Sequence, residues 1–224
     1  MEYHVNNETI TFNSNFNESI DKYYKVISKC SILIFENKVI GNNCVGLFNK
    51  NVDNLPISIT EILFGYFFDK SVDNLPENLK IICFGRDFNK TLDNLPHTLT
   101  HIYFVQTENK FNQPLDNLPI NLSYLSTGYN FNLFLDNLPY YLKELVIGES
   151  FNQSIENLPI LLKKLYIYNP DYSQNLNYLP DSIEYIEICT KISIIDRIPK
   201  NLKTFCSNEI NHINLSKYGA KLSY

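Results

Sequence analysis

At 224 residues the chain is long enough for one domain with a full core, and 44% apolar with 19% charged residues are globular values that exclude general disorder. A net charge of −5, with Lys and Arg scattered, excludes a nucleic-acid footprint and a basic membrane patch. No apolar run nears the roughly 20 residues that cross a bilayer, and the opening "MEYHVNNETITFNSN" lacks the basic and apolar stretches of a signal peptide, so no membrane association is expected.

The first 47 residues are the least regular. In "ITFNSNFNESID" an alternation ending in Phe12 is followed by a second aromatic, Phe16; "DKYYKVISKC" has room for a helical turn; "SILIF", from Ser31 to Phe35, reads as a strand. From residue 48 the chain repeats itself: "FNKTLDNLPHTLTHI" from Phe88 returns as "FNQPLDNLPINLSYL" from Phe111. Pro56, Pro76, Pro96, Pro119, Pro139, Pro159, Pro180 and Pro199 follow one another at 20, 20, 23, 20, 20, 21 and 19 residues, the 23 holding a small insertion around Thr107 to Lys110. A period near 20 is too short for paired helices and fits one turn of a β-solenoid.

Apolar residues recur immediately before each proline (Leu55 to Ile198), four before it (Val52 to Ile195), and three, six and eight after it. The positions six and eight after alternate with variable residues, the period of a half-buried strand, so each coil carries one short strand there. Gly65, Gly85, Gly128 and Gly148 close many of these strands and are expected to turn with positive φ. An aromatic follows: Phe48, Phe68, Phe88, Phe111, Phe131, Phe151, then Tyr172. Stacked one per coil, these predict a spine on the side opposite the strands. Each proline lies outside the strand, where its missing N–H breaks no ladder bond and its ring keeps the preceding leucine extended. The fold class is therefore mainly β: a right-handed leucine-rich-repeat-like solenoid with one short parallel strand per roughly 20-residue repeat and few or no long helices. It divides into degenerate N-terminal rungs or a cap at 1–47, eight repeats at 48–209, and a C-terminal cap at 210–224, through which the pattern decays after Lys191 takes the spine position and Arg197 the ladder position.

Between each spine aromatic and the next strand runs a polar turn. The asparagines of its "DNLP" motif, Asn54, Asn74, Asn94, Asn117, Asn137 and Asn157, are expected to form a structural ladder by bonding backbone groups of adjoining coils, since the amide both donates and accepts. The acidic residues before them, Asp53, Asp73, Asp93, Asp116, Asp136 and Glu156, are expected to accept a local backbone N–H. Stacked carboxylates could attract calcium, but that ion wants six to eight oxygens and calcium-binding solenoids use glycine-rich turns. His97 and His101 sit across a proline turn, without the glutamate and third ligand of a zinc site. There is no G-x-S-x-G, P-loop or Cys/His nucleophile pair, so neither catalysis nor a metal or cofactor is expected. Five cysteines without C-x-x-C spacing read as free thiols of a reducing compartment, which points to the cytoplasm.

The variable strand face is the place for function. Its outward positions, five and seven after each proline, include His101, Tyr103, Tyr124, Lys164, Tyr166 and Tyr185, with Glu144 and Glu187. Tyrosine offers contact area at low entropic cost and is enriched at binding hot spots, although it also favours strands in its own right. Two roles follow: a scaffold that binds a protein partner on this face, or a structural, self-assembling repeat protein that uses its end rungs as edges. Oligomeric state is open between them.

The tracts "FNQPLDNLP", "FNKTLDNLP" and "FNQSIENLP" resemble the FNIP repeat family of social amoebae and amoeba-infecting giant viruses, over about residues 48 to 209. The scarcity of residues with G/C-rich codons (two Arg, one Ala, no Trp) agrees with such a source. The resemblance implies a leucine-rich-repeat-like protein-binding module and, for a viral member, a host protein as partner and the host cytoplasm as location. Some members carry an N-terminal F-box; residues 1–47 show no Leu-Pro-initiated helical pattern of that kind.

Overall fold

The computed structural model describes residues 2–40, 43–105, 107–189, 197–207 and 221–223. Among them one sheet of 12 strands runs the length of the molecule. It starts with β1 (Tyr3–Asn6), β2 (Thr9–Phe12) and β3 (Ile32–Phe35), leaves a small hairpin of β4 (Lys38–Ile40) and β5 (Asn43–Val45) to one side, and resumes with β6 (Glu61–Leu63) and β7 (Ile81–Phe84). Then come β8 (His101–Phe104), β9 (Tyr124–Ser126), β10 (Glu144–Ile147), β11 (Lys164–Ile167), β12 (Tyr185–Ile188), β13 (Thr204–Ser207) and β14 (Lys221–Ser223). Order in the sheet follows order in the chain, and every pairing is parallel except that of β1 with β2. This is a leucine-rich-repeat-like β-solenoid.

Like side chains meet like. Ile62, Ile82, Ile102, Leu125, Leu145, Leu165, Ile186 and Phe205 are successive register partners, and all are buried. The same column extends backwards through Leu33 and Ile10. No coil can cover its own apolar side chains, so each depends on its neighbours for burial. At the N-terminal end β1, exposed on most of its length, lies antiparallel on β2 and covers the edge, with Asn7 (φ 53°) taking the left-handed turn position that asparagine tolerates. Residues 20–27 form a 3-10 turn (Ile20–Tyr23) and one α-turn (Tyr24–Ile27), opened by Ser19, whose hydroxyl accepts from the Asp21 amide. The β4–β5 hairpin has no counterpart in the repeat pattern. Lys191 and Ile195, and most of 210–224, lie outside the described residues.

The spine is continuous. Ring centroids from Phe48 through Phe68, Phe88, Phe111, Phe131 and Phe151 to Tyr172 are 6.0 to 6.2 Å apart, with planes within 16° of parallel. It does not stand opposite the strands, however. In the N-terminal half it lies against a second aromatic column at the strand ends: Phe35 meets Phe48 at 3.7 Å, Phe64 meets Phe68 at 3.7 Å and Phe84 meets Phe88 at 3.9 Å. The chain turns within four residues of the strand end, so the second ring has only the adjoining space to fill.

The glycines correct another expectation. Of Gly65, Gly85, Gly128 and Gly148, Gly128 alone has positive φ (81°). At Gly85 and Gly148 the need is room: a Cβ there would stand 2.1 Å from the Gly65 carbonyl oxygen and 1.8 Å from that of Gly128. Backbone stacks directly on backbone. The insertion after β8 is sealed by buried Asn109, which donates to the Gly85 carbonyl (2.8 Å) and accepts from the Phe111 amide (2.8 Å).

The "DNLP" asparagines bond side chains, not the backbone. Asn54, Asn74, Asn94, Asn117, Asn137 and Asn157 donate Nδ2–H to the carboxylates of Asp21, Asp53, Asp73, Asp93, Asp116 and Asp136 on the preceding coil, at 2.9 to 3.3 Å. This turn is exposed, and a carboxylate directly below is a better acceptor than a solvated carbonyl. The aspartates thus serve the next coil, where a bond to their own local amides was expected. The ladder that does hold backbone is the residue after each spine aromatic. Side-chain oxygens of Asn17, Asn49, Asp69, Asn89, Asn112, Asn132 and Asn152 accept from the backbone amides of Asn49, Asp69, Asn89, Asn112, Asn132, Asn152 and Ser173, at 2.9 to 3.0 Å. Asn132→Ala, which orphans the partly buried Asn152 amide, should cost about 1–3 kcal/mol in urea unfolding, against less than about 0.5 kcal/mol for the exposed Asn137→Ala.

Candidate functional site

Alternation puts every second strand residue on the outer face of the sheet, and the parallel register sets these residues in two rows. One row runs Ile32, Glu61, Ile81, His101, Tyr124, Glu144, Lys164, Tyr185, Thr204. The other begins Ile34, Leu63, Cys83, Tyr103 and continues, after β8, as Ser126, Val146, Tyr166, Glu187, Cys206. The N-terminal third of the face is thus largely aliphatic and half-buried, and the middle is aromatic.

Two aromatic groups stand there. His101 stacks on Tyr103 at 6.0 Å and on Tyr124 at 5.8 Å, while Tyr103 and Tyr124 meet at 4.5 Å. Tyr166 meets Tyr185 at 5.3 Å. Between them Lys164 pairs with Glu144 at 3.0 Å, and Ser126 and Val146 are buried although they belong to the outer row. Large rings on either side cover these two small residues. The structure therefore gathers His101, Tyr103 and Tyr124 in one cluster, Tyr166 and Tyr185 in a second, and Lys164 on the ion pair that joins them.

The cluster is partly dry. Burial, followed by the charges of Tyr103 and Glu144, pushes the Tyr124 phenol up to about 12. Burial is also the leading cause of the upward shifts of Tyr103, Tyr166 and Tyr168. Tyr185 is raised by its contact with the Cys206 thiol (3.5 Å) and by the hydrogen bond it donates to Glu187 (2.8 Å). Tyr168, two residues past Tyr166, joins this environment, and sequence reasoning missed it because half of the coils hold glycine in its column. At the strand starts Glu184 bridges Lys203 (2.5 Å) and Lys163 (2.9 Å), which hold its carboxyl down to about 2. All these phenols are protonated at neutral pH, so the aromatic groups offer O–H donors and ring surface, while Lys164, Glu144 and Glu187 supply the charge of the face.

Other chemistry is sparse. Burial pushes the Cys83 thiol, on the same face, up to about 11, which makes it a poor nucleophile. Among the described residues no three His, Cys, Asp or Glu side chains converge as a metal site requires, and His97 lies on a turn apart from the stacked His101. A recess on the turn side is lined by Asp21, Asp53, Lys50 and Lys70, whose charges balance. Among the described residues no helix is long and apolar enough to cross a membrane.

The family model of the FNIP Repeat matches residues 71–106 and 111–150. The chain carries FNIP repeats. The coils on either side of the matched residues continue the same sheet, spine and ladders, from Phe48 to Tyr172. Among solved structures the chain is similar to CroV588 of the giant virus CroV, described as a circular leucine-rich-repeat (LRR) protein, at 28% identity and a TM-score of 0.67 over 92% of this chain. It is also similar to YopM from Yersinia enterocolitica WA-314, at 18% identity and a TM-score of 0.45 over 69% of this chain. In each case the match covers 38% of the other protein's length. A search of the curated proteins returned no match. The solenoid resembles LRR proteins, a fold that commonly mediates protein–protein interaction and is typically non-enzymatic.

Proposed function

We propose that this FNIP solenoid is a non-catalytic scaffold that binds a protein partner on its strand face, centred on Tyr103, Tyr124 and Tyr166. The observation that carries the reading is the pair of half-buried aromatic clusters on adjacent rigid strands, 4.5 Å and 5.3 Å between rings. The rings are already held against their neighbours, so little side-chain freedom remains to be lost on binding. Partners in the cytoplasm, of a host cell if the chain is viral, fit the thiols of Cys30, Cys83, Cys189 and Cys206, which form no disulfides.

Replacing Tyr103, Tyr124 and Tyr166 together by serine tests the reading. Partner recovery from a lysate of the native cell should fall at least about thirty-fold, the effect of losing a hot spot of about 2 kcal/mol, while circular dichroism and the melting midpoint show an intact solenoid. Undiminished recovery of the same partners would move the site elsewhere. A second reading, assembly of copies through end rungs, draws on β14, which ends the sheet order among the described residues. Such assembly would grow with concentration into open chains, visible by light scattering.

A further inference from the structure

The residue after each proline forms another column, on the turn side of the coil rather than on the strand face. From the second repeat it reads Glu77, His97, Ile120, Tyr140, Ile160, Asp181, Lys200. Its centre is apolar and open: Ile120, Tyr140 and Ile160 are 57%, 50% and 63% exposed, and Tyr141 beside them is 51% exposed. Together these four side chains present roughly 400–500 Å², as much as the largest apolar patch of a typical monomer.

The same coils abandon a structural bond at this place. In the neighbouring column Asn78, Thr98 and Asn121 donate to the carbonyls of Ile57, Glu77 and His97 on the preceding coil, at 2.5 to 3.2 Å. Tyr141 and Leu161 take those positions next, and neither continues the ladder. A repeat that surrenders a rung-to-rung bond for exposed apolar side chains on successive coils has a use for them outside its own core.

We infer that this column is the interface of a twofold dimer of the chain. An antiparallel twofold axis through Tyr140 sets it on the second copy's Tyr140, Ile120 on the second copy's Ile160, His97 on the second copy's Asp181, and Glu77 on the second copy's Lys200. From Glu77 to Lys200 the column is complementary to its own reverse, as an isologous contact requires, and Ile57 of the first repeat, also exposed, lies beyond the paired stretch. A parallel arrangement would set Glu77 on Glu77 and Lys200 on Lys200. Within its own chain Asp181 meets Arg197 (2.5 Å) and Lys200 (3.1 Å), so this end is net positive and faces the Glu77 end of the other copy. Lys200, whose side chain is 82% exposed, shares Asp181 with Arg197 and can exchange that carboxylate for one on the other copy. Seven coils at about 4.8 Å give a strip about 29 Å long. Its apolar centre and charged ends together approach the roughly 800 Å² per partner of a standard interface. The strand face stays open in the dimer.

Sedimentation or light scattering over a concentration series tests this. The full chain should reach a closed dimer below about 100 µM, and Tyr140→Glu, which places two carboxylates at the axis, should weaken it at least about thirty-fold with no change in melting midpoint at dilutions where both chains are monomeric. Glu77→Lys should weaken the dimer and Lys200→Glu added to it should restore it, because only the reversed pairing exchanges these two positions. A chain that is monomeric at about 100 µM, growth beyond a dimer, a Tyr140→Glu variant that still dimerises, or a charge swap that fails to rescue would each overturn the inference.

Discussion

Phe88→Ala should lower the unfolding free energy by about 3–5 kcal/mol in urea titration, a large share of the roughly 5–15 kcal/mol that holds a domain folded. Phe88 is fully buried and lies 3.9 Å from Phe84, 6.1 Å from Phe68 and 6.2 Å from Phe111. Flat rings stacked on both sides are held by their own coils and cannot fall into the space left behind, so most of the cavity persists. The coil is also central, and nearest-neighbour stacking means its failure uncouples the halves on either side. Hydrogen exchange should therefore show the strand amides of β7 and β8 losing protection before those of β10 and β11. Phe88→Leu, which keeps much of the volume, should cost about 1–2 kcal/mol. If Phe88→Ala cost less than about 1 kcal/mol, the stacked columns would not be what holds successive coils together.

The second large effect separates three glycines that look alike in the sequence. Gly148→Ala should cost about 3 kcal/mol or more, because its Cβ would stand 1.8 Å from the Gly128 carbonyl oxygen and 2.9 Å from the Tyr129 Cα, both backbone atoms. The two coils would have to part locally, and their ladder bonds would lengthen. Gly128→Ala should cost about 1–2 kcal/mol for the left-handed backbone at φ 81°, with a further penalty from Asn109 Oδ1, which would lie 2.7 Å from the new Cβ. Gly65→Ala should be mild, under about 1 kcal/mol, since its Cβ would meet nothing closer than 3.2 Å. Thermal unfolding of the three variants gives the ranking. Equal losses would mean that conformational freedom, not backbone contact, is what the column requires.

The candidate face was legible as a pattern and not as a site. Alternation assigned Tyr103, Tyr124 and Tyr166 to one side of the sheet, because a strand offers only two sides. It gave no sign that Tyr124 would lean into the Tyr103 ring, that Val146 would be covered, or that Tyr168 would join. Those outcomes depend on how side chains of neighbouring coils tilt together. The exposed column of Ile120, Tyr140 and Ile160 escaped notice for a related reason: apolar residues in a repeat read as core until the path of the turn shows which way they point.

What the sequence determined alone is the repeat and its apolar columns: the 20-residue period, the strand in each coil, the inward leucine and isoleucine columns, and the stacking of Phe48 through Tyr172. Coils stack in register, so a column of letters is a column of atoms. Only the tertiary structure decided which atoms of those columns meet. It paired the "DNLP" asparagines with aspartates, gave the backbone ladder to the residue after the spine aromatic, pressed Phe64 on Phe68, and brought the Gly148 backbone against Gly128. Phe64 and Phe68 belong to different segments of one bent coil, while the other contacts join like positions of successive coils, and in both cases the curvature of the turns sets which atoms come within reach.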